Sequence, residues 1–175
     1  MANPPQTTEQ LLARHATYLP THKPIAHFPA DISAVKRMLI ISCIDPRVIP
    51  EQIFGLEVNE VPVLRNVGGR ARTAVWDVAV LDTLVDVAEV VVLHHTNCGA
   101  TLNTDAHIAS TLGARSEREL AKYDVEGICF AADGIAASVR DDVAFLRQHP
   151  FVRKETRVVG FVYDIWTGGL ERVDG

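Results

Sequence analysis

Glu89-Val90-Val91-Val92-Leu93-His94-His95-Thr96-Asn97-Cys98 decides how this chain folds. An unbroken run of branched apolar residues, too short for a buried helix, reads as a strand covered on both faces, from Glu89 to His94. His95 follows at its tip, and Cys98 comes after two more residues. An earlier stretch repeats the plan. Arg37 to Cys43 carries Met38-Leu39-Ile40-Ile41-Ser42 and ends on a cysteine, with Asp45 and Arg47 directly beyond it. Two buried strands that each present a soft metal ligand at the carboxyl end belong to an α/β sheet whose site gathers at its strand tips.

Working outward, Glu60 to Arg65 reads as a further strand and Pro50 to Phe54 as a short helix with proline in its first turn. Thr73 to Val87 has apolar residues at 75, 76, 78, 79, 81, 84, 85 and 87 and aspartates at 77, 82 and 86. That spacing predicts an amphipathic helix capped by Thr73. Gly134 to Gln148 is a second long helix, closed by His149-Pro150. Thr156 to Trp166 is a strand, and Gly168-Gly169 turns the chain into a short last strand, Leu170 to Val173. This alternation predicts a central, mainly parallel β-sheet, four parallel strands plus a short C-terminal edge strand, flanked by helices. Asn103 to Cys129 is the least legible part, read as loop with one or two short helices. Upstream, Thr8 to Tyr18 is helical, and Pro20, Pro24 and Pro29 then forbid regular structure. Residues 1–35 are thus expected to form an N-terminal helical arm packing on a partner subunit, and 36–175 a single α/β zinc-binding catalytic domain.

The 175 residues, 47% hydrophobic and 22% charged, suit one globular domain. A formal net charge of −5 with no basic cluster longer than two residues argues against nucleic-acid or anionic-membrane partners. No stretch approaches the roughly 18 apolar residues of a spanning helix. The first twenty residues lack the layout of a secretory signal. Three cysteines form no disulfide framework, and thiolates reserved for metal suit a cytoplasmic setting.

The chemistry lies in Cys43, His95 and Cys98. Two thiolates and one imidazole supply three ligands to a zinc ion, one per subunit, and leave a position for water; that is the make-up of a catalytic rather than a structural zinc site. Pro46 pushes Asp45 towards extended dihedrals, so residues 43, 45 and 47 are expected on one side of an extended chain. Arg47 can then clamp Asp45 through a two-pronged pair and keep it ionised. Without that clamp Asp45 would be able to swing to the metal. Asn66-Val67-Gly68-Gly69 lacks the glycine spacing of nucleotide loops and reads as a tight turn beside the metal. His94 points away from His95 and is packed; Cys129 is read as core, His107 as a loop residue, and His15, His22, His27 and His149 as surface.

With these residues in place, the chain resembles the β-class carbonic anhydrases. The resemblance rests on Cys43-x-Asp45-x-Arg47, Leu64-Arg65-Asn66-Val67-Gly68-Gly69, Leu93-His94-His95-Thr96-Asn97-Cys98-Gly99-Ala100 and the tail Gly160 to Leu170. Arg140-x-Asp142-x-x-x-Phe145-Leu146-x-x-His149-Pro150 is similar to the family's late helix. The resemblance implies zinc on Cys43, His95 and Cys98, with Asp45 and Arg47 as a catalytic pair that gates and orients the fourth ligand. It implies attack of zinc hydroxide on CO₂ to give bicarbonate. It also implies a homodimer as the smallest unit, often paired into a homotetramer, with N-terminal arms wrapped around the neighbour. His94 stands where many members have glycine, as in a compact branch that also includes carbonyl sulfide hydrolases and a carbon disulfide hydrolase. Hydrolysis of carbonyl sulfide to CO₂ and H₂S is therefore the nearest alternative. A non-enzymatic module with a structural zinc closed by Asp45 is the alternative of another class, and the presence of Arg47 speaks against it.

Overall fold

The computed structural model of the chain describes residues 4–5, 7–27 and 38–173. Strands β1 (Met38–Cys43), β2 (Val63–Asn66), β3 (Glu89–His95) and β4 (Arg157–Tyr163) run parallel, and β5 (Leu170–Arg172) pairs antiparallel with β4. The sheet order is β2-β1-β3-β4-β5. The expected architecture is thus the observed one. Pairing Ser42 with Leu93 and Cys43 with Asn66 brings the carboxyl tips of β1, β2 and β3 side by side.

The central strands are apolar without interruption because both faces are covered. On one face Leu39, Ile41, Val90, Val92 and Val158 meet Val78 of α3 (Ala71–Val85) and Val139, Val143 and Leu146 of α6 (Ile135–Gln148). The alternate residues Ile40, Val91, Leu93 and Val159 point the other way, against Val48, Phe54 and Phe161. Gly160 lets α6 lie close on β4, since a side chain there would run into Val139 and Val143.

Several boundaries differ from the sequence reading, each for a local reason. β2 begins at Val63, not Glu60, because Glu60 closes a turn on the Glu57 carbonyl and Pro62 has no N–H to give a ladder. Helix α3 begins at Ala71, with Arg70 at the N-cap and no side-chain cap. Thr73 lies inside its first turn, where its hydroxyl donates to the Arg70 carbonyl, so it is not the cap. The helix ends at Asp86 in a left-handed conformation, and Trp76 and Leu84 of the expected apolar stripe are exposed, as is Val80. β4 stops at Tyr163 rather than Trp166, because the Asp164 carboxylate accepts from the amides of Trp166 and Thr167 and turns the chain. The illegible middle segment is more regular than expected. It holds α4 (Asp105–Arg115) and α5 (Glu117–Leu120), capped by Thr104 and Ser116. His107 accordingly lies on a helix and not in a loop.

Helix α1 (Thr8–Tyr18) matches its expected bounds and carries a capping box of Thr7 and Gln10. None of its residues is buried; Leu11 and Leu12 are 56% and 62% exposed. Arg37, read as the start of β1, and Pro29 of the arm lie outside the described residues. The short α2 (Pro50–Ile53) agrees with the proline-led turn. Among the described residues no helix is long and apolar enough to cross a membrane.

Candidate metal centre

Cys43 closes β1, His95 closes β3, and Cys98 follows the two-residue turn Thr96-Asn97; all three are buried. Their ligand atoms lie within 4.8 Å of one another. The two sulfurs are 3.8 Å apart and form no disulfide. Two thiolates on one tetrahedral zinc, each at about 2.3 Å, would stand about 3.8 Å apart. His95 Nδ1 is 2.9 Å from the Thr96 carbonyl. A carbonyl only accepts, so Nδ1 carries the hydrogen and Nε2 is left with its lone pair. That Nε2 is buried and has no hydrogen-bond partner among the described residues. Such a group is costly unless something electrophilic claims it. Thr96 is itself fixed, its N–H on the Tyr163 carbonyl and its hydroxyl accepting from the Ile165 amide. The donor set fits a zinc ion.

The two thiols share their protons unequally. Donation from Cys98 to the Cys43 sulfur, helped by the Asp45 amide, holds the Cys43 thiol down at about 4 against the opposing effect of burial. The Cys98 thiol is pushed up, first by that same shared contact and then by burial. The pair gives its first proton easily and its second reluctantly, and a bound dication would take the place of that second proton.

Asp45 and Arg47 form a bidentate pair. Asp45 Oδ2 accepts from Arg47 Nη2 at 2.6 Å, and Oδ1 accepts from Nε and from the Arg47 backbone N–H, both at 2.9 Å. The chain therefore does not stay extended here. The backbone bond from Arg47 to Oδ1, and that from Val48 N–H to the Asp45 carbonyl, make an Asx turn that folds Arg47 back over Asp45. The Arg47 hydrogen bonds hold the Asp45 carboxyl at about 2, below its ordinary 3.8. Asp45 Oδ2 is 3.9 Å from His95 Nε2, so the carboxylate borders the donor set.

Sequence reasoning passed over four further residues. Arg65 donates to the carbonyls of Cys43, Asp45 and Val48 and so braces the loop that carries both cysteine and aspartate. Asn97 accepts from Arg47 twice, through Oδ1 at 2.8 Å and its carbonyl at 2.9 Å. Arg70 and Asp142 form a fully buried ion pair at 3.3 Å. His94, also fully buried and turned away from His95, joins them: Nδ1 is 2.7 Å from Ser138 Oγ, and Nε2 lies 3.1 Å from Asp142 and 3.2 Å from the Gly69 carbonyl. Its ring stacks on Phe130 at 5.5 Å. The packed reading of His94 agrees with this. A charged residue directly after the glycines and an aspartate on the inner face of α6 were the available signals for Arg70 and Asp142. Cys129 is half-buried rather than core, and its N–H donates to Asp105.

The glycine turn is tight, as expected. Gly68 and Gly69 have φ of 75° and 71°, and a side chain on Gly69 would stand 2.9 Å from the Cys43 nitrogen.

A parallel α/β sheet with two cysteines and a histidine at adjacent strand tips, beside an Arg-held aspartate, defines a narrow class. The chain belongs to the β-carbonic anhydrase family: the family model described as Carbonic anhydrase matches residues 38–170. It is 28% identical over 172 residues to the Beta-carbonic anhydrase 1 of Mycobacterium tuberculosis, covering 95% of this chain and 97% of that protein. It is 25% identical over 161 residues to the Carbon disulfide hydrolase of Acidianus sp. strain A1-3, covering 78% of this chain and 77% of the relative. The crystal structure of a carbonic anhydrase from Streptococcus mutans superposes with a TM-score of 0.77 at 27% identity, over 99% of this chain and 100% of the other.

Proposed function

We propose that the chain is a zinc enzyme that catalyses the reversible hydration of CO₂ to bicarbonate, with Cys43, His95 and Cys98 as metal ligands and Asp45 and Arg47 as the catalytic pair. The observation that carries this reading is the buried Nε2 of His95, without a hydrogen-bond partner among the described residues, within 4.8 Å of two sulfurs and next to a carboxylate already held by an arginine. Zinc, when bound, supplies Lewis-acid activation of water, lowering its pKa from 15.7 towards about 7. Asp45 does the rest at Oδ2. It accepts the hydrogen of the attacking hydroxyl and so aims the oxygen's lone pair at the carbon of CO₂. As the carbon–oxygen bond forms, one C=O electron pair moves to its oxygen, giving bicarbonate. Arg47 keeps Asp45 ionised, hence an acceptor only, and holds it away from the donor set. That hold is also the reason to prefer an enzyme over a module with a structural zinc closed by Asp45.

A second substrate shares this chemistry. The likeness to a carbon disulfide hydrolase supports carbonyl sulfide, whose carbon also sits between two heteroatoms. The test is stopped-flow CO₂ hydration beside sulfide release from carbonyl sulfide, on one zinc-loaded preparation. CO₂ turnover should dominate and rise from neutral to alkaline pH; a ratio strongly favouring sulfide reverses the assignment.

We further infer a homodimer or homotetramer in which residues 1–35 lie on a partner subunit. The wholly exposed α1, with Leu11 and Leu12 uncovered, supports it, because an isolated helix of this length is marginal in water. Light scattering of the full chain should give at least two subunits. The reduced thiols suit a cytoplasmic setting.

A further inference from the structure

Arg47 does not hold Asp45 alone. Its guanidinium is divided between two acceptors, with Nε and one Nη2 hydrogen on the Asp45 carboxylate and Nη1 with the other Nη2 hydrogen on Asn97. Asn97 is the second of the two residues that link His95 to Cys98. It has a φ of 54°, a left-handed conformation that asparagine tolerates better than most residues and that turns both its side-chain oxygen and its carbonyl to Arg47. Arg47 itself is half-exposed, with 47% of its side chain accessible, so the aspartate by itself leaves it free to swing outward into water. The second anchor removes that freedom.

We propose that Asn97 is a positioning residue: its side-chain oxygen ties Arg47 to the link between the two metal ligands and so keeps Asp45 out of the metal's fourth coordination position. This rests on the metal-site reading above. Two consequences follow. The aspartate and the ligand link move as one body, because Arg47 is bonded to both. Removing the Asn97 oxygen loosens Arg47, and Asp45, only 3.9 Å from His95 Nε2, then competes with any exogenous ligand for the metal.

The experiment replaces zinc by cobalt(II), whose visible spectrum reports its ligands, and titrates the cobalt protein with azide as a probe of the open position. Asn97→Gly keeps the left-handed backbone and the carbonyl contact and deletes only the side-chain acceptor. Loss of one charge-assisted hydrogen bond at a half-exposed site predicts azide binding weakened about three- to ten-fold. Asn97→Asp restores an acceptor at the same place and should bind azide within about two-fold of the unaltered protein, on the same reasoning. A purely structural role would lower the urea midpoint or cobalt content of Asn97→Gly without changing azide affinity in the loaded fraction. Should Asn97→Gly fail to load, exchange of the Arg47 Nε hydrogen in the metal-free protein, followed by NMR, decides instead: the latch requires faster exchange than in the unaltered chain. A chain that takes up no cobalt overturns the metal-site reading and the latch with it. Equal azide affinity in Asn97→Gly and the unaltered cobalt protein, or Asn97→Asp behaving as Asn97→Gly, overturns the latch alone.

Discussion

Gly69→Ala tests whether the glycine turn is the mould in which Cys43 is set. At a φ of +71° an L-residue costs about 1–2 kcal/mol. The new methyl would stand 2.9 Å from the Cys43 nitrogen, 3.0 Å from the Ser42 carbonyl carbon and 3.2 Å from the Leu93 oxygen. All three are backbone atoms of β1 and β3, so no rotamer change relieves them. Overpacking of this kind adds about 1–3 kcal/mol, for a total of about 2–5 kcal/mol, a large part of a typical domain's stability. The strain falls on Cys43, the first of the proposed metal ligands, so zinc affinity should drop along with the urea midpoint. Gly68→Ala is the internal control. Its φ is also positive, at +75°, but its methyl would meet only side chains, those of Phe130, Arg70 and Ala100, at 3.1 to 3.3 Å. It should cost about 1–2 kcal/mol and leave zinc affinity nearly unchanged. Urea unfolding of the metal-free proteins and zinc competition against a chromophoric chelator give both numbers. If Gly69→Ala is no worse than Gly68→Ala in either measurement, the packing argument is wrong.

Other expectations concern charge. Asp142→Ala should cost about 3–5 kcal/mol in urea unfolding, because it leaves Arg70 buried without its counter-charge; a cost under about 1 kcal/mol would mean that water reaches the pair. Asp45→Ala should lower CO₂ turnover about 10²- to 10⁴-fold while zinc content by elemental analysis stays near one per chain; loss of the metal would refute the helper role. His95→Ala should remove zinc under the same analysis, since among the described residues only that ring offers a nitrogen to the two sulfurs. The Asp45 carboxyl is depressed from 3.8 to about 2, so its stabilisation is present above pH 4 and is lost as pH falls through 2. Because Arg47 is half-exposed, solvent screening reduces this to about 1 kcal/mol. The stability gap between the metal-free chain and its Asp45→Asn variant should close over that range, and a constant gap down to pH 2 would contradict the pairing.

The strand tips could be read from residue order because a buried parallel strand must be apolar throughout, and Met38-Leu39-Ile40-Ile41 and Val90-Val91-Val92-Leu93 have no other reading at their length. The grouping of Cys43, His95 and Cys98 followed from where those runs end. The Asx turn at Asp45 was missed because proline argued locally for extension, while a side-chain acceptor two residues before a free N–H offered the backbone a competing bond. The cap of α3 was misplaced for a similar reason: Thr73 has the right chemistry, but Asn66 and the Arg70 carbonyl already engage its hydroxyl. The Arg70–Asp142–His94 cluster joins residues from three distant segments, which no local pattern reveals.

Cys43 and His95 stand on neighbouring strands although β2 and α3 lie between them along the chain. A ribosome-bound fragment ending before Cys98 would hold only part of the grip, and the grip closes only once β1 has zipped against β3. Slipping that ladder by one residue would send Cys43 to the opposite side of the sheet. On the proposed zinc reading, an ion held by Cys43, His95 and Cys98 would favour the correctly aligned ladder, because a slipped one separates its donors.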